Sequence, residues 1–295
     1  MLTCPEAIIA GEGIRLPGMR PIDVRHLGRE RVICCWEVDG VVVDPGPERS
    51  LATLVDALDE TAPRAVLLTH VHLDHAGGTG ALVRRWPDTP VYVHELGAPH
   101  LVDPAKLLTS AERLYGAEMD RLWGEVVPVP EANVHALAGG ETVDGFRVAY
   151  TPGHASHHVS YLHEDTGAAF VGDVAGVQIE RGGIVLPPTP PPDVDVDAWN
   201  DSLSLVADWG PARLCLTHFG EVADVYEHLS TMRDRLAAWA TLARELDGPA
   251  FEAHIREEIA AAASDPETAA TYEQACPPDQ QYLGLERWWR VSSAP

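Results

Sequence analysis

Apolar positions along this chain fall into short runs whose period switches between two and about three and a half residues, the signature of strands alternating with helices. Arg31–Val38 and Val41–Asp44 are apolar and β-branched, and Asp39-Gly40 between them predicts a tight hairpin. Asp44-Pro45-Gly46-Pro47 stops the second strand. Glu48–Glu60 carries Leu51, Leu54, Val55 and Leu58 at helical spacing, and Ala65–Thr69 reads as a buried strand running into His70. Gly77–Trp86 is then expected to be a helix ended by Pro87, followed by a strand at Val91–Val93. Pro99–Gly124 turns amphipathic and helical, with Leu107, Leu108, Leu114, Met119, Leu122 and Trp123 on its apolar face. Such an insertion reads equally as a lid, a homodimer surface or plain cover for the core. A strand is expected again at Val126–Pro130.

The second half is denser in strand signals: Val134–Leu137, a hairpin about Asp144-Gly145 with Phe146–Thr151, then His158–Leu162 and Ala168–Gly172. Pro187-Pro188-Thr189-Pro190-Pro191-Pro192 is too proline-rich for helix or central strand and predicts an extended surface loop acting as a spacer, with contact to the substrate as the alternative because it lies between Asp173 and the last ligand-bearing strand. Asp197–Trp209 reads as a helix, Arg213–Thr217 as a buried strand, and the rest to about Thr271 as helical. Two β-rich parts with interspersed helices predict an α/β fold in which two sheets form a sandwich flanked by helices. Residues 1–220 are expected to form that domain, with 221–295 a helical extension packed on it.

Composition narrows the partners. The net charge of −24, from 45 acidic and 21 basic residues, opposes binding to nucleic acid or an anionic membrane, and no Lys/Arg run offsets it. Lys106 is the only lysine. No segment approaches the ~20 apolar residues of a membrane span, and Met1–Gly13 lacks the pattern of a secretory signal. Five cysteines (Cys4, Cys34, Cys35, Cys215, Cys276) without CxxC spacing argue against a disulfide framework, so a cytoplasmic location is expected. The adjacent Cys34 and Cys35 read as strand filling.

The chemistry concentrates in Thr69-His70-Val71-His72-Leu73-Asp74-His75-Ala76-Gly77-Gly78, where three histidines and a carboxylate follow a buried strand. Imidazole with carboxylate suits zinc or non-haem iron, whereas magnesium or calcium would call for oxygen alone. With the period of a strand, His70 and His72 project to one side, and the turn beyond them swings Asp74 and His75 toward a second position. More donors are needed for two ions. His154, Asp173 and His218 each follow an apolar strand and are the candidates.

This ordered set resembles the metallo-β-lactamase superfamily, and within it the glyoxalase-II-like hydrolases, over roughly Val32 to Gly220. The resemblance implies an αβ/βα four-layer sandwich of two mixed sheets with the site on one edge. It also implies that His70, His72 and His154 bind one ion, that Asp74, His75 and His218 bind another, and that Asp173 bridges them. Two divalent ions, zinc first with iron or manganese as alternatives, would share a water and lower its pKa from about 15.7 to roughly 7. The metal-bridging hydroxide would attack a carbonyl or phosphoryl centre, with Asp74 orienting it.

Departures from other branches narrow the reading. His72 stands where flavin-linked diiron reductases usually carry glutamate, and Asp173 where true β-lactamases carry cysteine or serine. The lysine-free helices after Gly220 lack the basic pattern with which glyoxalase II holds glutathione. The expected activity is hydrolysis of a small ester, thioester or lactone; the alternatives are a mononuclear iron persulfide dioxygenase or a non-catalytic metal or ligand binder. His158 is expected to support the ligands without joining them, His157 to lie on the surface, and His94, His100, His135 and His163 to be satisfied or exposed, with His100 able to line the pocket. Trp288-Trp289 is expected to pack on the core or on a partner subunit.

Overall fold

The computed structural model describes residues 18–292, so Cys4 and the N-terminal segment lie outside the described residues. Two six-stranded sheets face each other. The first contains β1 (Met19–Asp23), β2 (Cys34–Val38), β3 (Val41–Val43), β4 (Ala65–Leu67), β5 (Val91–His94) and β6 (Val134–Leu137), in that spatial order. Its first three strands are antiparallel neighbours, and β3 to β6 run parallel, with helical segments in the crossovers. The second sheet is ordered β12 (Gly220–Val222), β11 (Arg213–Leu216), β10 (Ala168–Phe170), β9 (Val159–His163), β8 (Phe146–Tyr150), β7 (Thr142–Val143). It is antiparallel except for the β10–β11 pair.

Strand alternation divides the core into layers. Cys34, Trp36, Val41, Val43, Ala65 and Leu67 face Phe146, Tyr161, Phe170 and Cys215 of the opposite sheet. Their sequence neighbours Cys35, Val42 and Val66 point outward, into a cluster with Leu54, Leu58, Leu82 and Val83. Adjacent Cys34 and Cys35 therefore serve opposite faces of one strand, both buried and unpaired. Close to the site edge the sheets are tied by Trp36 Nε1, which donates to the Leu216 carbonyl (3.0 Å), and by the Tyr161 hydroxyl, which donates to the Leu68 carbonyl (2.8 Å).

The outer layers are helical. α1 (Leu51–Ala57), α2 (Leu73–Ala76) and α3 (Thr79–Arg85) belong to the first half, and α4 (Ala98–Val102), α5 (Ala105–Tyr115) and α6 (Met119–Trp123) form the expected insertion. On the other side come α7 (Val196–Asp208), α8 (Val225–Glu245), α9 (Gly248–Ala262), α10 (Pro266–Ala275) and α11 (Pro278–Ser292). Asp195, Asp247 and Asp265 cap α7, α9 and α10, their carboxylates accepting from first-turn amides. Met232, Leu236, Trp239, Phe251, Ile255 and Tyr272 from α8 to α10 join the same apolar cluster as Val66 and Val174, so these helices share the core of the sandwich. Trp289 packs inward and donates from Nε1 to the Ala240 carbonyl (2.7 Å).

Three expectations change. Val126–Pro130 is not a strand, because Pro128 and Pro130 have no amide to give to a ladder; one amide of the stretch, Val129 N, instead reaches the Leu101 carbonyl (2.8 Å). β1 and β12, too polar to stand out in sequence, are two of the four edge strands, and β12 crosses the expected junction at residue 220. The proline segment is no surface spacer: Leu186 to Thr189 are buried, with the Thr189 hydroxyl donating to the Gln281 carbonyl (2.9 Å) of α11.

Candidate metal centre

Every candidate ligand sits where a strand or its continuation ends on one edge of the sandwich. β4 leads through Leu68 and Thr69 to His70 and His72; the single turn of α2 then carries Asp74 and His75. β8 leads to His154, β10 to Asp173 and β11 to His218. Gly153 allows the turn before His154: its φ is +136°, and a Cβ there would fall 2.3 Å from Trp199 Cα. Gly153→Ala should therefore cost about 1–3 kcal/mol through overpacking and backbone strain, read as a lowered urea midpoint; an unchanged midpoint would mean that α7 yields to the methyl group.

The structure gathers the seven residues into two groups. Donor atoms of His70, His72, His154 and Asp173 lie within 4.8 Å of one another, and those of Asp74, His75 and His218 do likewise. Asp173 stands between them: Oδ2 is 3.2 Å from His154 Nε2, while Oδ1 is 3.2 Å from His75 Nε2 and 3.6 Å from His218 Nε2. Asp74 Oδ2 is 3.3 Å from His218 Nε2. His72 presents Nδ1, 2.9 Å from His154 Nε2.

Hydrogen bonds on the far side of the rings fix which nitrogen carries the proton. His154 Nδ1 meets the Pro188 carbonyl (2.8 Å) and His218 Nδ1 the Val32 carbonyl (2.6 Å); a carbonyl only accepts, so Nε2 of each keeps its lone pair. His75 Nδ1 donates to Asp44 Oδ2 at 2.8 Å. The Thr69 hydroxyl gives its proton to Asp44 Oδ2 (2.7 Å), so it can only accept from His70 Nδ1 (3.1 Å). Nε2 of His70, His75 and His218 and Oδ1 of Asp173 are left buried without a hydrogen-bond partner among the described residues. Orphaned lone pairs of this kind cost about 1–3 kcal/mol each, and four aimed at one space, from imidazole and carboxylate, fit divalent metal.

The electrostatics demand the same thing. Burial pushes the His70 ring well below the usual imidazole range, aided by His75 and His72. Burial alone would lower His75 too, but the carboxylates of Asp173, Asp74 and Asp44 outweigh it and hold the ring well above that range. Asp173, which burial alone would raise, is held well below the carboxylate range by His75, His154 and His218. Carboxylates buried this deeply need a cation beside them, which a divalent metal held by these residues would supply.

The family model of the metallo-beta-lactamase superfamily matches residues 37–218, a span that contains all seven residues. The chain belongs to this superfamily. It is 32% identical over 211 residues, 68% of this chain and 77% of the relative, to a metallo-beta-lactamase fold-containing protein of Sulfurisphaera tokodaii. It is 31% identical over 137 residues to a hydroxyacylglutathione hydrolase of Xylella fastidiosa, covering 45% of this chain but only 40% of that enzyme. The fold superimposes on an archaeal metallo-beta-lactamase superfamily protein from Sulfolobus tokodaii with a TM-score of 0.68 at 23% identity, over 91% of this chain and 98% of that one. With its His/Asp motif intact, this member of the metallo-beta-lactamase superfamily is a metallo-hydrolase.

The site also holds residues that sequence reasoning missed or misplaced. Asp44 is fully buried and accepts from Thr69 N (2.8 Å), the Thr69 hydroxyl, the Thr217 hydroxyl (3.0 Å) and His75 Nδ1, so one carboxylate orients two ligand-bearing loops. Its only sequence signal was a carboxylate ending an apolar strand, the rule applied to Asp173 and not to Asp44. His157 is buried, not on the surface, with its ring against His70 and His72. His158 spends both nitrogens inside the protein: Nδ1 lies 2.9 Å from the Thr151 hydroxyl, and Nε2 accepts from Asp173 N at 3.3 Å. His94 is buried and stacked on Tyr150, His163 is buried beside Thr166, and His135 is exposed. Among the described residues no helix is long and apolar enough to cross a membrane.

Proposed function

We propose that this protein hydrolyses a small, largely apolar acyl substrate, an ester, thioester or lactone, at a centre of two divalent ions, zinc first with iron or manganese as alternatives. The observation that carries the reading is the cavity of about 330 Å³ whose floor is formed by His72, Asp74, His154, Asp173 and His218. Its walls are mainly apolar. Leu107, Ala111, Leu114 and Tyr115 of α5, with Trp123 of α6, form one side, and Pro188 with Pro190 to Pro192 another. The corner between α10 and α11 closes the third side with Gln274, Pro277 and Gln281, so the C-terminal helices help to shape the site.

His70, His72 and His154 with Asp173 Oδ2 would hold one ion; Asp74, His75 and His218 with Asp173 Oδ1 would hold the other. When bound, such ions polarise an acyl oxygen and supply acidified water near neutral pH. Asp74 engages its histidine neighbours through Oδ2, leaving Oδ1 to accept a hydrogen bond from the attacking water and direct it. The apolar walls exclude bulk water and align the acyl chain. Lys106, at the exposed rim, is the one Lys or Arg lining the cavity among the described residues. That supports a weakly charged substrate over a phosphodiester or a glutathione conjugate. The partial similarity to hydroxyacylglutathione hydrolase supports acyl chemistry, not its thiol carrier.

Metal-loaded protein assayed against p-nitrophenyl esters of increasing acyl length, thioesters, lactones and bis-p-nitrophenyl phosphate tests this. Each methylene that fits should raise kcat/KM up to roughly fourfold, the worth of ~0.8 kcal/mol per buried CH₂. Preferential cleavage of the phosphodiester would replace the acyl reading. A single iron with oxygen uptake on a thiol persulfide would replace it by the dioxygenase.

A further inference from the structure

Among the described residues, His157 lies beside the metal centre and lines the cavity with one ring nitrogen held by the backbone and the other without a protein partner. Its ring lies against His70 (centroids 6.1 Å, planes 14° apart) and edge-on to His72 (5.7 Å). Nδ1 accepts from the Val71 backbone N–H at 3.4 Å. An amide nitrogen only donates, so Nδ1 must offer a lone pair, which makes the ring neutral with its proton on Nε2. Among the described residues no acceptor reaches that Nε2, and unlike Nε2 of His70, His75 and His218 it is not sealed within the protein: the ring lines the cavity. Neighbouring histidines are committed elsewhere. His158 uses both nitrogens internally, and His26, across the cavity, faces the Ser50 hydroxyl (3.3 Å), which can donate or accept and leaves its tautomer open.

We infer that His157 is a substrate-contacting donor, its Nε2–H bonding to the oxygen of an acyl group bound beside His72. This rests on the acyl-hydrolase reading above. A rigid N–H at the edge of a mainly apolar cavity costs no reorganisation when an oxygen gains negative charge, and there it is worth far more than in water. The ring is held from behind by the backbone between two metal-ligating histidines, so the donor is registered to the centre it serves.

Two substitutions separate donation from mere bracing of Val71. In His157→Asn the amide oxygen can replace Nδ1 and keep the Val71 contact, but nothing reaches the Nε2 position; in His157→Gln the amide nitrogen reaches that position. The expected result is a loss of about a hundredfold in kcat/KM on p-nitrophenyl butyrate for Asn, with most activity kept by Gln, and with metal content and Tm unchanged in both. Nitrogen-15 NMR should find the His157 ring protonated on Nε2, and butylphosphonate, a tetrahedral oxyanion, should shift that proton downfield. Full activity in Asn with loss in Gln, a ring protonated on Nδ1, or no response to butylphosphonate would each overturn the inference. Should the wild-type protein hydrolyse no acyl substrate, the acyl reading alone falls, because the tautomer and the butylphosphonate response still decide whether His157 is a donor to bound oxyanions.

Discussion

Asp173→Ala is expected to abolish turnover, lowering kcat/KM by about 10³-fold or more, and to reduce metal content in the same preparation. The reason is its position: its two oxygens face different donor groups, Oδ2 toward His154 and Oδ1 toward His75 and His218. Removing them takes one ligand from each group and leaves three buried imidazoles facing a space with less negative charge. Loss of metal-derived electrostatic stabilisation worth several kcal/mol corresponds to at least three powers of ten in rate. Steady-state kinetics with elemental analysis decide it. A variant retaining both metal and rate would show that each group binds and works without the shared carboxylate.

Asp44→Ala should be the most destabilising single change at the site although Asp44 touches no candidate ion position. It would strand Thr69 N, two threonine hydroxyls and His75 Nδ1 in a fully buried pocket. Breaking a buried charged network by deleting one partner costs about 3–5 kcal/mol, and loss of such a partner behind a ligand typically weakens metal affinity about 10- to 100-fold. Thermal melts of metal-free protein isolate the first effect, and competition with a chromophoric chelator the second. A variant that melts within a degree of wild type and binds metal equally well would remove Asp44 from the account of how His75 is oriented.

Much of this was legible in the sequence because it is local. The run from His70 to His75 puts four donors in six residues after an apolar strand, and the unbroken apolar runs at Val41–Val43 and Ala65–Leu67 mark strands buried on both faces. What escaped was held by partners distant in the chain. His157 looked like a surface residue because its fate depends on Val71, far back in sequence, and the proline segment looked like a spacer because its anchor, Gln281, lies 92 residues beyond Thr189. β1 and β12 carried too little apolar signal to be seen, since an edge strand has only one neighbour to bury it.

The sequence by itself thus picked out the seven His/Asp residues that the fold gathers, the alternation of strands and helices and the superfamily, because residue type and hydrophobic period are properties of neighbouring residues. Only the tertiary structure decided which oxygen of Asp173 faces which group, that Asp44 stands behind His75 and Thr69, and that α5, the proline segment and the α10–α11 corner wall one cavity over the metal centre. Those facts are set by strand order and sheet packing, which bring together the ends of β3, β4, β8, β10 and β11, and no local pattern encodes a distance between them.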